Sequence, residues 1–311
     1  MDGTGPDMTV NIGGLELPNP VIAASGIVGY GMEYDSLGTL RHFGAVVVKG
    51  TTLMPRAGNP PPRLVETPAG LLNSVGLENP GVDAVIREDI PRLEATGTTI
   101  IVNVAGATVD EYLRVTERLD AVRCVKALEI NISCPNVKAG GMLFGTNPDA
   151  SASLVESIRG VTGKTVIVKL SPNTSELVAV ARAVEQAGAH AVSLINTILG
   201  MAIDTAAREP ILHNVFGGLS GPAVKPIALR MVWEVCGAVH IPVIGLGGIC
   251  TARDALEFMM AGAAAVEVGT ALFRNPLAGE EIVNGIRDWL HEQDISSVRE
   301  VTGVARVVNR G

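Results

Sequence analysis

A (β/α)8 barrel is the fold the sequence predicts, and three observations carry it. Eight short apolar, β-branched runs recur along the chain, amphipathic helical patterns lie between them, and 311 residues suit one such barrel. Parallel strands covered on both faces read as near-continuous apolar runs, and eight of them separated by helices can close on themselves. The whole chain, 1–311, is therefore read as a single domain.

In order, the runs are "VIAAS" (21–25), "AVVVKG" (45–50), "TIIVNVAG" (99–106), "ALEINIS" (127–133), "TVIVKLS" (165–171), "AVSLINT" (191–197), "IPVIGLGG" (241–248) and "AAVEVGT" (264–270). Between them, "VDAVIREDIPRLEA", "VDEYLRVTERLD", "SELVAVARAVEQAG" and "ARDALEFMMAG" place apolar residues three and four apart, as one face of a helix requires. Ahead of the first run, "MTVNIGGLELPNP" alternates with a period of two, which predicts an N-terminal β-hairpin closing the bottom of the barrel. The connection 197–221 exceeds the usual few residues and predicts an insertion after the sixth strand.

Composition narrows the function. The chain is 47% hydrophobic with 36 glycines and only 3% aromatic residues, which suits a packed aliphatic interior rather than a base-stacking surface. A net charge of −8 opposes non-specific binding to nucleic acid or anionic lipid. No run approaches the ~20 apolar residues of a membrane span, and the first residues lack the basic and apolar regions of a signal peptide. A cytoplasmic protein acting on a small molecule is expected. Cys124, Cys134, Cys236 and Cys250 show no C-x-x-C spacing, and the five histidines follow no ligand spacing, so no metal site is expected. Cys124 and Cys236, on helical patterns, read as small hydrophobes.

In this fold the C-terminal strand ends build the active site. The polar residues there are Ser25, Lys49, Asn103, Asn131 with Cys134, Lys169, Asn196 with Thr197, Gly247 with Gly248, and Gly269 with Thr270. A lysine ending an apolar strand is costly to bury unless it faces an anion, a polarisable cofactor or solvent. The glycine pairs of the seventh and eighth runs fit a phosphate site built from backbone N–H groups and a helix start. "GLGGIC" does not complete G-x-G-x-x-G, because Cys250 stands where the last glycine belongs; a single phosphate, as in a flavin mononucleotide, fits better than a dinucleotide.

"NISCPN" (131–136), with "NSVGLENPG" (73–81), "VKGTT" (48–52), "INT" (195–197), "GGLSGPAVKPIALR" (217–230), "GLGGI" (245–249) and "VGTAL" (268–272), resembles the dihydroorotate dehydrogenases of pyrimidine biosynthesis, over nearly the whole chain. The resemblance implies oxidation of dihydroorotate to orotate with one bound FMN. It makes Cys134 the base that removes the C5 proton while the flavin takes the C6 hydride. It assigns the orotate ring and carboxylate to Lys49, Asn73, Asn131, Asn196 and Thr197 with the backbone of Ser74, Val75, Gly76 and Leu77. It assigns flavin contacts to Ser25, Lys49, Gly50, Asn103, Asn131, Lys169, Ile195, Gly221, Gly247, Gly248, Gly269 and Thr270, with Lys169 stabilising the charge that develops on reduction.

The family divides by electron acceptor. The membrane-associated, quinone-using class carries a serine base, whereas Cys134 and "CPNVKAGGMLFG" resemble the NAD-linked group, whose catalytic subunit pairs with an iron–sulfur flavoprotein. That likeness implies a homodimer core within a heterotetramer, with FAD and a [2Fe–2S] cluster on the partner only. Other readings stay open: a fumarate-using dihydroorotate dehydrogenase, an enzyme like dihydropyrimidine dehydrogenase (from which Asn136 and Val137 depart), and a non-catalytic barrel that binds a phosphorylated ligand.

Overall fold

The computed structural model describes residues 5–31, 34, 36–133 and 144–306. Eight parallel strands form a closed barrel in chain order: β1 (Val21–Ala23), β2 (Ala45–Thr51), β3 (Ile100–Val104), β4 (Val125–Asn131), β5 (Thr165–Lys169), β6 (Ala191–Leu194), β7 (Val243–Leu246) and β8 (Ala265–Val268). β8 pairs with β1 through Glu267↔Ile22, and β5 with β6 through Val192↔Val168, so no edge is left open. Each strand coincides with one of the eight runs.

The helices Val109–Asp120, Pro148–Arg159, Leu177–Gln186, Lys225–Cys236, Ala252–Met260 and Ala278–Glu292 cover the outside. Their starts are written locally. Thr108 and Asn147 accept from the backbone N–H groups of Glu111 and Ala150, and Thr251 forms a capping box with Asp254. The pattern at 82–95 folds as helical pieces interrupted by a π-turn at Val85–Asp89, with Val85, Ile90 and Leu93 inward. Phe258 is wholly buried, and its ring lies where a side chain on Gly245 of β7 would stand, 2.6 Å from that Cβ position.

At the N-terminal end, Val10–Ile12 and Leu15–Leu17 pair as the expected hairpin, burying Ile12 and Leu17. Gly13, at φ +57°, packs so tightly on His190 ahead of β6 that a Cβ would lie 2.4 Å from its carbonyl oxygen. At the opposite end the insertion resolves into β-structure. Ile198–Met201 and Phe216–Ser220 join Gly70–Asn73 and Leu64–Thr67 in a four-stranded antiparallel sheet over the barrel mouth. Half of that sheet thus comes from the β2 connection, which the sequence did not single out as structured. Phe144 and Gly145 are buried, and Phe144 packs edge-on against Tyr112 at a centroid distance of 5.9 Å.

Phe258→Ala should cost about 3–5 kcal/mol by chemical denaturation, through loss of buried area and the cavity left behind. Met54→Ala, at a side chain 69% exposed, should stay within about 0.5 kcal/mol.

Candidate active site

A barrel interior is dry, so each charge inside it needs a partner. Lys169 ends β5 and its side chain is 5% exposed. Its Nζ lies 3.2 Å from Glu129 Oε1 and 3.0 Å from Glu267 Oε2, and it donates to Ser25 Oγ at 3.3 Å. The lysine faces anions, as the cost of burial requires, but they are the protein's own carboxyl groups, from β4 and β8. Glu129 also accepts from Asn103 Nδ2 at 2.5 Å and Ser193 Oγ at 3.0 Å. Burial works against the charge on Lys169, yet Glu129 and Glu267 together hold its pKa above the ordinary lysine value. Burial likewise opposes ionisation of Glu129, but the lysine's charge and the donated hydrogen bonds keep that carboxyl below its usual range.

Above this cluster a cavity of about 780 Å3 opens at the C-terminal strand ends, roofed by the four-stranded sheet. Every predicted site residue within the described part of the chain lines it. Ser25, Lys49, Gly50, Asn103, Asn131, Lys169 and Ile195 come from or just after β1 to β6, and Gly247, Gly248, Gly269 and Thr270 from the loops after β7 and β8. Asn73 and the turn Ser74, Val75, Gly76 and Leu77 descend from the roof. Asn196, Thr197 and Gly221 mark the two ends of the insertion. Cys134 lies outside the described residues.

The polar half is arranged by backbone. Tyr112 Oη donates to the carbonyl of Asn131 at 2.6 Å, fixing the end of β4. The Asn131 side-chain oxygen accepts from Ser133 N–H at 3.1 Å and Asn196 Nδ2 at 3.5 Å, while Asn73 Nδ2 donates to the Gly218 carbonyl at 3.2 Å. Ser74 Oγ is buried against the cavity with no partner among the described residues. On the rim, Arg63 bonds Glu78 at 2.6 Å, and Lys49 Nζ stands 3.9 Å from the same carboxylate.

The glycine end is built by close approach. Gly248 has φ +77°, and a Cβ there would stand 2.8 Å from the Gly221 carbonyl and 2.9 Å from Lys225 N, the first residue of the helix Lys225–Cys236. Two loops and a helix start thus meet at one edge of the cavity, the arrangement in which backbone N–H groups hold phosphate. The three described cysteines are poor nucleophiles. Burial pushes the Cys250 and Cys124 thiols up, and Cys236 up to about 12. No group of metal-ligating side chains occurs among the described residues.

Glu129 and Glu267 are the residues sequence reasoning missed. Both sit inside quoted runs, "ALEINIS" and "AAVEVGT", and the available signal was a lone acid in the middle of each buried strand, opposite in sign to Lys169. Asn59, Arg63 and Glu78 were also missed, because the sheet whose strands they flank is not signalled locally.

Fold and cavity together define an α/β barrel with its ligand site at the C-terminal mouth. Residues 7–290 match the family model described as dihydroorotate dehydrogenase, and the chain belongs to that family of oxidoreductases. It is 56% identical over 298 residues, 96% of this chain and 98% of the relative, to the catalytic subunit of dihydroorotate dehydrogenase B (NAD(+)) from Trichlorobacter lovleyi. The subunit of the same name from Desulforamulus reducens is 54% identical, over 97% of this chain and 99% of its own length. Among solved structures, Eimeria tenella dihydroorotate dehydrogenase in complex with ferulenol superposes with a TM-score of 0.80 at 23% identity, covering 99% of this chain and 91% of that one, which supports the fold.

Lys169→Met would leave two buried carboxyl groups without their cation. A loss of about 3–5 kcal/mol in urea unfolding at neutral pH is expected; a loss below about 1 kcal/mol would show that the cluster does not depend on the lysine.

Proposed function

We propose that the chain is the catalytic subunit of an NAD-linked dihydroorotate dehydrogenase, oxidising dihydroorotate to orotate in pyrimidine biosynthesis. The observation that carries this reading is that the glycine loops, the buried lysine and Asn73, Asn103, Asn131 and Asn196 meet in one cavity, within a chain over half identical to subunits of that name. The cavity suits FMN on the chemistry of its donors: a phosphate-type edge at Gly221, Gly247, Gly248, Gly269 and Thr270, and polar donors from Asn103 and Lys169. The flavin, when bound, supplies the two-electron acceptor for the C6 hydride.

The chain's own residues do the rest. Asn73, Asn131, Asn196 and Thr197, with the Ser74–Leu77 turn and Lys49, would hold the pyrimidine ring and its carboxylate; amides both donate and accept, matching a ring edge of alternating N–H and C=O groups. Cys134 takes the C5 proton. Its neighbour Ser133, and Gly145 on the far side of the undescribed segment, both line the cavity, and no described cysteine is suited to the role. Within the described residues there is neither a cysteine cluster nor a dinucleotide fingerprint, so electrons would reach NAD through a separate iron–sulfur flavoprotein subunit carrying FAD and [2Fe–2S], in a heterotetramer around a dimer of this chain. No described helix is long and apolar enough to cross a membrane, and the working compartment in this reading is the cytoplasm.

Dihydroorotate added anaerobically to the purified yellow protein should bleach the flavin. A protein that stays oxidised, but bleaches with a dihydropyrimidine, would move the substrate assignment. Cys134→Ser should slow this bleaching about 10²–10⁴-fold at neutral pH while orotate still binds, as judged by spectral titration. A loss of orotate affinity of the same size would make Cys134 a binding group instead. The chain alone should reduce NAD far more slowly than it bleaches; equal rates would remove the need for a partner.

A further inference from the structure

Two carboxyl groups share one lysine at the floor of the cavity, and they are not equivalent. Glu129, wholly buried, accepts from Asn103, Ser193 and Lys169. Among the described residues Glu267, 1% exposed, accepts only from Lys169, and its buried Oε1 meets no donor. A carboxylate with a bare oxygen in a dry interior is costly, whereas the neutral acid turns that deficit into a donor. An acceptor is at hand, because the Glu129 and Glu267 carboxyl groups converge on the same Lys169 Nζ, at 3.2 and 3.0 Å. The titratable groups facing Glu267 are Glu129 from β4 and Lys169 from β5; β1, β3 and β6 bring only Ser25, Asn103 and Ser193 to the cluster.

We propose that Glu267 is a positioning residue for the oxidation: it stays a neutral carboxylic acid and donates its proton to Glu129, so that Lys169 is matched by a single carboxylate and the cavity floor carries no net charge. The proposal rests on the flavin reading above. With both carboxyl groups ionised the floor would carry one net negative charge and oppose the arrival of electrons in the cavity; with one proton retained, that opposition vanishes. Burial pushes Glu267 well above the ordinary carboxylate range and the Glu129 charge adds to this, against the pull of Lys169. The sign for stability follows. An acid whose pKa rises on folding contributes fully below its unfolded value of 4.5, and that contribution is lost as pH rises through the folded value.

Infrared spectra and flavin potentials test the idea separately. At pH 7 the wild-type protein, with or without flavin, should show a carboxylic-acid carbonyl band that is absent from Glu267→Gln. Glu129→Gln should lose it as well, because Glu267 then ionises to pair with Lys169. The two-electron flavin potential of Glu267→Gln should match wild type, since glutamine mimics the neutral acid. A tenfold or greater shift of the redox equilibrium toward reduction, about 30 mV, would mean that a negative charge had been removed, and would overturn the proposal. So would a wild-type spectrum without the band. Should Glu267→Gln fail to fold, the pH at which the wild-type band disappears decides alone: loss only in alkaline solution supports the neutral acid, loss below pH 6 refutes it. A chain that never takes up FMN would sink the flavin reading, with the infrared result still deciding the proton.

Discussion

The floor of the cavity depends on one constraint: a lysine that cannot reach water has been placed inside a closed barrel. Its two carboxyl partners come from β4 and β8, and the groups that complete the network come from β3, β6 and the residues after β1. Strand register allows this. Asn131 pairs with Lys169 across β4 and β5, which sets Glu129 two residues deeper on the same inward face. A buried ion pair is weak evidence for stability, since well-packed apolar residues often do as well. What the cluster offers is a fixed charge distribution beneath a cavity, something an aliphatic layer would not provide.

The opposite constraint, close packing of backbone, shapes the cavity's edges. At Gly248 the φ angle and the proximity of Lys225 N both exclude a side chain, and at Gly218 a Cβ would collide with Thr197. Removing side chains at these points lets backbone donors and the start of a helix come together, where an anion is favoured. Carboxamides occupy the other side of the cavity and suit a ligand that presents donors and acceptors in alternation. One cavity thus offers an anion-holding edge, a floor of paired charges and a neutral polar wall.

The roof is a different kind of element. Its strands come from two connections more than a hundred residues apart, and the pairs Gly218↔Asn73 and Gly200↔Gly217 bring Gly200, Gly217 and Gly218 together beside Asn73. Two such pieces have little to bury alone and gain a buried face only by closing on each other and on the barrel mouth. Asn73 and Thr197 owe their place in the site to that closure.

The barrel was legible because its signals are local. A buried parallel strand must be apolar throughout, a surface helix must repeat every three to four residues, and the capping residues Thr108, Asn147 and Thr251 stand where those patterns begin. The ring of polar strand ends followed, since the fold dictates which end of each strand carries chemistry. Long-range pairing decided the rest. Nothing near Glu129 or Glu267 says that each will meet Lys169, because they are 40 and 98 residues from it in the chain. Nothing in "GLLN" at 70–73 says that it will pair with 216–220. The sequence by itself determined the elements and which of their ends are chemical; only the tertiary structure decided which charges neutralise one another and what roofs the cavity, because those depend on distances between segments that local patterns do not encode.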